Sequence, residues 1–212
     1  MYLHLQNCRL VAPMDFSGLK NLRTLVLQLV DDVKQTLLEG LFSNCIHLVD
    51  FTLDECEFNS DLKIITPTLL HLNIVNCQVK IGEKRNIDII ASNLSSIEYS
   101  CNRLSVHDMK IDAHMLSKFS FRGCKIYEPV GFSGLKNVTT IVFDGLSEFQ
   151  PTNIIPLLFS ECFQLEDVTF INIKHIPDMN IISPKLRHLK IIECGYPLID
   201  INVLNLASFE YS

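Results

Sequence analysis

The stretch LLHLNIVNC at residues 69–77 returns as LRHLKIIEC at residues 186–194, 117 positions later (186 − 69). Both copies keep the frame Leu-x-His-Leu-x-Ile-x-x-Cys, in which apolar residues alternate with other residues ahead of a cysteine. Alternation with a period of two is typical of a short β-strand that turns its apolar side chains to one side. The chain therefore repeats one short strand followed by a cysteine.

The frame matches Leu-x-x-Leu-x-Leu-x-x-(Asn/Cys)-x-Leu, the signature of a leucine-rich repeat. It recurs in ten units, whose third apolar residues are Leu5, Leu27, Leu53, Ile74, Tyr99, Phe121, Phe143, Phe170, Ile191 and Tyr211. Successive members of this set are 20 to 27 residues apart, which is the length of a leucine-rich repeat. Each unit leaves an apolar side unburied until another stacks on it, so the repeats should build a solenoid.

The sequence thus predicts an α/β leucine-rich-repeat solenoid, curved, with a parallel sheet of about ten short strands on its concave face. Two long units carry a helical pattern of apolar residues after the strand. We expect their helices to be capped by Asp31 or Asp32 and by Thr152 or Asn153. Shorter units, such as DECEFNSDLKIITP at 54–67, should return as extended or single-turn segments. The convex face is therefore expected to mix helices with irregular segments.

The repeated stretch at 69–77 and 186–194 belongs to a longer duplication, since FSGLKN occurs twice and NLSSIEYS (93–100) returns as NLASFEYS (205–212). No linker interrupts the pattern, so we take 1–212 as a single leucine-rich-repeat domain with an internal duplication of roughly 1–112 and 113–212. The chain starts and stops inside strands of the frame and has no polar capping unit, although solenoids need such units. We therefore expect a fragment of a longer protein.

Five of the eight cysteines occupy the Asn/Cys position of the frame: Cys8, Cys56, Cys77, Cys124 and Cys194. A side chain at this position lies inside the coil at the turn out of the strand, where a small, weakly polar group suits the bent backbone. The chain has no Cys-x-x-Cys pair for a zinc or thioredoxin-like site. We expect buried, reduced thiols in which thiolate formation is disfavoured.

The composition narrows the possible partners and the compartment. The chain has 18 lysines and arginines against 24 aspartates and glutamates, a net charge of −6, whose field repels nucleic acid and anionic membranes. Polar residues interrupt the N-terminal MYLHLQNCRLVAP, unlike a secretory leader, and no apolar run approaches the length needed to span a bilayer. These features indicate a soluble protein of the cytoplasm or nucleus with no nucleic-acid or membrane partner.

The sequence also lacks the common signatures of catalysis and nucleotide binding, namely G-x-G-x-x-G, G-x-x-x-x-G-K, H-E-x-x-H and G-x-S-x-G. Its seven histidines do not form metal-ligand spacings. We therefore expect no enzymatic activity, no cofactor and no metal. Asn93-Leu94-Ser95 and Asn137-Val138-Thr139 match the glycosylation sequon, but each straddles a core residue, and we assign them no modification.

Binding by the outward strand residues is the function that remains. A parallel sheet with one bare polar face is unusual outside such solenoids, so this face is the best candidate interface. Lys118 and Arg122 form a small basic spot with acidic positions on either side. The candidate interaction residues on the concave face are Asp50, Asp54, His71, Asn73, Glu98, Lys118, Arg122, Asp144, Asp167, His188 and Lys190.

The phrases LFSNCIHLVDFTLDEC and LFSECFQLEDVTFINI, followed by TPTLLHLNIVNC or SPKLRHLKIIEC, resemble the leucine-rich region of plant F-box/leucine-rich-repeat proteins over essentially all 212 residues. The resemblance implies that this region selects a protein substrate for a cullin-based ubiquitin ligase, while an N-terminal F-box docks on a Skp-type adaptor. No F-box segment is present in this chain. The alternative is a leucine-rich-repeat scaffold or a small-molecule receptor with a pocket in the concavity, which a central basic cluster would favour.

Overall fold

A computed structural model describes residues 1–10, 16–58, 61–79, 85–101, 105–123, 125–126, 135–146, 154–174, 176 and 178–212. In chain order the strands are β1 (Tyr2–Gln6), β2 (Thr24–Gln28), β3 (Asp50–Asp54), β4 (Glu57–Phe58), β5 (Leu62–Ile65), β6 (His71–Val75), β7 (Gln78–Val79), β8 (Arg85–Ile90), β9 (Ser96–Ser100), β10 (Ser105–Asp112), β11 (Lys118–Arg122), β12 (Lys125–Ile126), β13 (Thr140–Asp144), β14 (Asp167–Ile171), β15 (Met179–Ile182), β16 (His188–Ile192), β17 (Ile199–Asn202) and β18 (Ser208–Tyr211). The helices are α1 (Gln35–Asn44), α2 (Ile154–Glu161) and a 3-10 turn at Ser17–Leu19.

Ten of these strands form one parallel sheet in the order β1-β2-β3-β6-β9-β11-β13-β14-β16-β18. Neighbouring strands pair without a register shift, so that Leu25 lies beside Phe51 and Phe51 lies beside Leu72. The expected solenoid with about ten short parallel strands is confirmed. Because every strand has the same register, residues at one position of the frame form a straight column across the sheet.

The inward columns of this sheet form the hydrophobic core. Phe51, Leu72 and Leu189 are fully buried, as the period-two alternation predicts. In the middle of the sheet the third apolar position is aromatic, and the rings stack from repeat to repeat: Tyr99 on Phe121 with centroids 5.1 Å apart and Phe143 on Phe170 with centroids 6.1 Å apart. Buried aromatic pairs stabilise a core beyond the effect of the area they bury.

The opposite side of the core is more regular than the sequence suggested. The short units return as extended segments, as expected, but these segments are not irregular, because strands β5, β8, β10 and β12 pair into a second parallel sheet, which we call the convex sheet. Leu62 lies beside Ile87, which lies beside Met109, and all three are buried. Return segments of similar length stack in register, and pairing satisfies backbone groups that would otherwise lack partners.

Helix α1 follows the predicted apolar pattern but begins later than the sequence suggested. Its N-cap is Lys34, which makes no side-chain capping hydrogen bond, so the prediction of Asp31 or Asp32 as the cap is wrong. Asp32 adopts a left-handed φ of 58°, and the chain remains extended on both sides of it through bridges of Asp31 and Val33 to neighbouring repeats. These bridges place the N-cap of the helix two or three residues later than expected, at Lys34 instead of Asp32 or Asp31.

Helix α2 occupies the corresponding long unit in the second half of the chain. Pro156 is its third residue, within the first turn, where a missing N–H leaves no helical hydrogen bond unmade. The expected caps Thr152 and Asn153 lie outside the described residues. None of the helices in the described part of the chain is long and apolar enough to cross a bilayer.

The seven cysteines that the structure describes have free thiols, and Cys124 lies outside the described residues. Cys56 and Cys77 are buried, whereas Cys8 and Cys194 near the two ends are half-buried. Burial raises the pKa of Cys45, and it raises that of Cys162 to about 12. Cys56 departs from the expected disfavoured thiolate, because a hydrogen bond with Cys77 lowers its pKa.

In eight repeats the residue after the concave strand has a left-handed backbone conformation, whereas Cys101, which follows β9, does not. The φ angles of these eight residues lie between 50° and 70°, and the members are Asn7, Leu29, Glu55, Asn76, Gly123, Gly145, Asn172 and Glu193. Each of their N–H groups donates to the last strand carbonyl of the next repeat; Leu29 to Asp54, at 2.9 Å, is an example. The left-handed turn closes the strand and directs the following cysteine position into the core.

Asparagine side chains bridge the turns that lead into three concave strands. The amide nitrogens of Asn93, Asn137 and Asn205 donate to the backbone carbonyl oxygens of the preceding repeat, at 2.7, 2.7 and 2.8 Å. Two of these asparagines are those of the sequon patterns. In this fold they hold adjacent repeats together.

Candidate interface on the concave sheet

The outward residues of the ten-stranded sheet form three columns, which together we call the concave face. The first column contains Tyr2, Thr24, Asp50, His71, Ser96, Lys118, Thr140, Asp167, His188 and Ser208. The eleven predicted interaction residues all lie in these columns. The sheet register therefore brings them onto one surface, as the alternation in the sequence predicted.

Three residues of the first column form a polar cluster on the third, fourth and fifth strands of the sheet. His71 Nδ1 lies 2.7 Å from Ser96 Oγ, and His71 Nε2 lies 3.9 Å from Asp50 Oδ1. Thr24 donates its hydroxyl to Asp50 Oδ2 at 3.1 Å. Strands β3, β6 and β9 are adjacent, so their first outward residues meet directly.

The same cluster occurs again near one end of the sheet. His188 Nδ1 lies 2.7 Å from Ser208 Oγ, and His188 Nε2 lies 3.9 Å from Asp167 Oδ1. The geometry repeats because the duplication places Asp, His and Ser on three successive strands twice. We call these groups the first and second Asp-His-Ser clusters.

The surroundings of the first Asp-His-Ser cluster differ from those of a serine hydrolase. A serine hydrolase also needs hydrogen-bond donors that stabilise an oxyanion beside the nucleophile. In this sheet the backbone N–H groups of the central strands pair with neighbouring strands, so they do not point at the serine. The histidine and aspartate of each cluster are about half-exposed, which leaves them open to a partner's side chains.

The predicted basic spot lies at the centre of the sheet, and its charge is partly balanced. Arg122 Nε lies 3.8 Å from Glu98 Oε1 and donates to Ser120 Oγ at 3.2 Å. Lys118, on the same strand, is exposed. Together they line a shallow, open concavity of about 210 Å³.

The other predicted residues bond along the sheet from strand to strand. The contacts are Gln28 Nε2 to Asp54 Oδ2 at 2.8 Å, Asn73 Nδ2 to Thr52 Oγ1 at 3.2 Å, Asn172 Nδ2 to Asp144 Oδ1 at 3.3 Å and Lys190 Nζ to Glu210 Oε2 at 3.1 Å. Such contacts restrict the rotamers of the face before any partner binds, which lowers the entropy that binding costs.

Among the residues that the structure describes, no group of three or more His, Cys, Asp or Glu side chains is arranged to hold a metal ion. The Asp-His-Ser clusters were not singled out from the sequence, although their aspartates and histidines were among the predicted residues. Reading each outward column across the strands would have found them, since the register places the three residues side by side.

The ten-stranded parallel sheet, its in-register columns and its exposed polar face define a leucine-rich-repeat protein. Residues 1–126, more than half of the chain, match the family described as the At1g61320/AtMIF1 leucine-rich-repeat domain, a plant family, and the chain belongs to it. No curated protein and no solved structure matches the chain significantly. Solenoids of this kind typically act as interaction scaffolds that bind through an extended concave surface.

Proposed function

We propose that the chain is a protein-interaction module that binds a protein partner through the concave face, as the substrate-recognition region of an F-box subunit of a cullin-based ubiquitin ligase. The observation that carries the interaction role is the concave face itself, a continuous polar surface across ten strands of a leucine-rich-repeat domain. The ligase role rests on the resemblance to plant F-box/leucine-rich-repeat proteins and would require an F-box outside this chain.

The contact residues in this proposal are the eleven candidates of the concave face. Their partly exposed carboxylates, imidazoles and amines are held by neighbours within the sheet, so the surface is ordered before the partner arrives. Pre-ordering favours affinity because fewer rotamers are lost on binding. Partner contacts near Lys118 would be central, and contacts near the two Asp-His-Ser clusters would be lateral.

A small-molecule receptor has weaker support. The central concavity, at about 210 Å³, is open and falls below the roughly 300 to 1,000 Å³ typical of ligand pockets. The basic cluster that would favour such a receptor is partly neutralised, because Arg122 is paired with Glu98. Both features are better suited to a macromolecular surface.

Site-specific photocrosslinking in the natural host tests the interaction role. A photoreactive amino acid replaces Lys118 on the concave face or, as the matched control, the exposed Lys110 on the convex sheet. We expect a protein partner to be captured from position 118 and not from position 110. Capture from position 110 alone would contradict the proposal.

The ligase role has a separate test on the natural protein that contains this chain. We expect a Skp-type adaptor and a cullin to co-purify with it, and the captured partner to accumulate when the proteasome is inhibited. If the partner is captured from position 118 but neither adaptor nor cullin co-purifies, the interaction role stands and the ligase role is wrong.

A further inference from the structure

Charges on the concave face are ordered along the sheet. Strand β3 carries Asp50 and Asp54, the central strand β11 carries Lys118 and Arg122, and on the far side Asp144 and Asp167 lie on β13 and β14. The face therefore presents an acidic flank, a basic centre and a second acidic flank. A segment that crosses the strands would meet these three zones in sequence.

The two Asp-His-Ser clusters mark equivalent points within the acidic flanks. The side chains of Asp50 and Asp167 are 38% and 44% exposed. Within the described part of the chain, neither carboxylate has a lysine or arginine in ion-pair contact. Each lies beside the imidazole of its own cluster, and Asp50 also accepts a hydrogen bond from the Thr24 hydroxyl. Each cluster therefore offers an accessible carboxylate beside a hydrogen-bonding imidazole and hydroxyl, which suits a basic side chain of a partner.

The spacing of these points matches an extended peptide. Asp50 and Asp167 lie five strand intervals apart, or about 24 Å at the usual spacing of about 4.8 Å between strands. An extended chain advances about 3.3 Å per residue, so about seven residues cover this distance. Lys118 lies three intervals from Asp50, which corresponds to about four residues of an extended peptide.

We propose that the concave face binds an extended segment of a protein partner that crosses the strands and carries two basic side chains about seven residues apart with an acidic side chain between them. The basic side chains bind at Asp50 and Asp167, and the acidic side chain binds at Lys118. This inference rests on the proposed function and gives the chemical class of the partner. Nucleic acid does not fit, because two acidic flanks and a net charge of −6 repel it.

Synthetic peptides test the charge pattern directly. The probe is a fluorescent peptide of about fifteen Gly, Ser and Ala residues, with two arginines about seven positions apart and one glutamate between them. One control reverses every charge, and a second keeps the composition but places the arginines side by side. Fluorescence anisotropy should show the patterned peptide binding at least about fivefold more tightly than either control, with affinity falling as salt is added.

Substitutions in the chain test whether the peptide binds to the concave face. Asp50→Asn and Asp167→Asn should each weaken binding of the patterned peptide about two- to fivefold, the effect of losing one exposed ion pair. In Lys118→Gln, replacing the glutamate of the peptide with a neutral residue should no longer weaken binding. The matched control is Asp88→Asn on the convex sheet, where the side chain is 40% exposed and no effect is expected. Circular dichroism verifies that each variant remains folded.

The inference is overturned if the patterned peptide does not bind, or if the patterned and control peptides bind with equal affinity. Equal losses in Asp88→Asn and Asp50→Asn would also overturn it, because the peptide would then lie elsewhere. The proposed function has a separate readout. If a partner is captured from position 118 but the patterned peptide fails to displace it, the interaction role stands, and the proposed basic-acidic-basic pattern of the partner is wrong.

Discussion

Cys56 donates its thiol hydrogen to the backbone carbonyl oxygen of Leu27 in the preceding repeat, with an S···O distance of 3.2 Å. Cys77 makes the equivalent contact with Leu53 at 3.4 Å. Each thiol thus satisfies a carbonyl inside the coil while its sulfur packs in the apolar core. At Cys56 and Cys77 the thiol therefore joins two successive repeats.

The rate at which each cysteine of the native protein is alkylated should depend on the burial of its thiol rather than on its pKa. Cys56 has a lowered pKa, which favours the reactive thiolate, but its side chain is inaccessible to solvent. We expect Cys56 and Cys77 to react with iodoacetamide much more slowly than the half-buried Cys8, and to react rapidly in denaturant. Mass spectrometry with and without denaturant measures this. Equal native rates for Cys56 and Cys8 would show that the cysteine position is not inside the coil.

The raised pKa of Cys162 predicts a loss of stability in alkali. Its thiol has a pKa of about 12 in the folded chain against 9.0 in the unfolded chain, because burial and the neighbouring Glu161 charge disfavour the thiolate. Above pH 9 the unfolded chain releases this proton and the folded chain does not, so the unfolded state gains stability as pH rises. The contribution is at most about 1.4 kcal/mol per pH unit between pH 9 and 12. The difference in urea stability between the wild type and Cys162→Ala should therefore shrink over this range, and a constant difference would contradict the burial of the thiol.

Alanine substitutions in the inward column should lower the free energy of unfolding far more than alanine substitutions in the outward column. Leu72→Ala and Leu189→Ala each empty a fully buried site, for which we expect a loss of about 2–5 kcal/mol in the free energy of unfolding. The adjacent outward residues His71 and Lys190 are half-exposed, and their replacement by alanine should cost less than about 1 kcal/mol. Chemical denaturation of the four variants gives the comparison. Similar losses for a residue and its neighbour would mean that the strand register is wrong.

The left-handed turn position predicts opposite responses of two equally exposed leucines. Leu29 and Leu70 are both 39% exposed, but Leu29 has a φ of 51° and Leu70 has no positive φ. A left-handed conformation costs a residue with a Cβ about 1–2 kcal/mol, which glycine avoids. Leu29→Gly should therefore be at least about 1 kcal/mol more stable than Leu70→Gly. Thermal denaturation of both variants measures the difference, and equal losses would contradict the turn geometry.

Much of the sheet could be predicted from the sequence because its signal is local. Two alternating apolar residues, such as Leu72 and Ile74, fix the strand and its inward side, and recurrence of the frame fixes the stacking order. Once the register is known, the placement of outward residues such as Asp50 and His71 follows. The placement of the eleven candidate residues on the concave face could therefore be predicted from the sequence alone.

The features that sequence could not supply depend on contacts between distant residues. Strands β8 and β10 of the convex sheet pair with segments in neighbouring repeats. Their apolar residues alternate, as in Met109-Lys110-Ile111, but this short pattern does not specify which segments pair. The left-handed turn is similarly hidden. Glycine at 123 and 145 suits positive φ, but Leu29 and Glu55 adopt it without any sequence preference. Asp32 was predicted as a helix cap because its type is suitable, while its bridged neighbours decide its conformation.

Histidine footprinting tests the central claim, that the concave face is the binding surface. His71 and His188 lie in the Asp-His-Ser clusters, whereas the exposed His114 lies in the turn that leads into β11. The three residues are labelled with diethylpyrocarbonate in the free protein and in its complex with a co-purified protein partner, and the modification is counted by mass spectrometry. We predict slower labelling of His71 and His188 in the complex with His114 unchanged. Protection of His114 with no change at His71 and His188 would place the partner elsewhere and contradict the account.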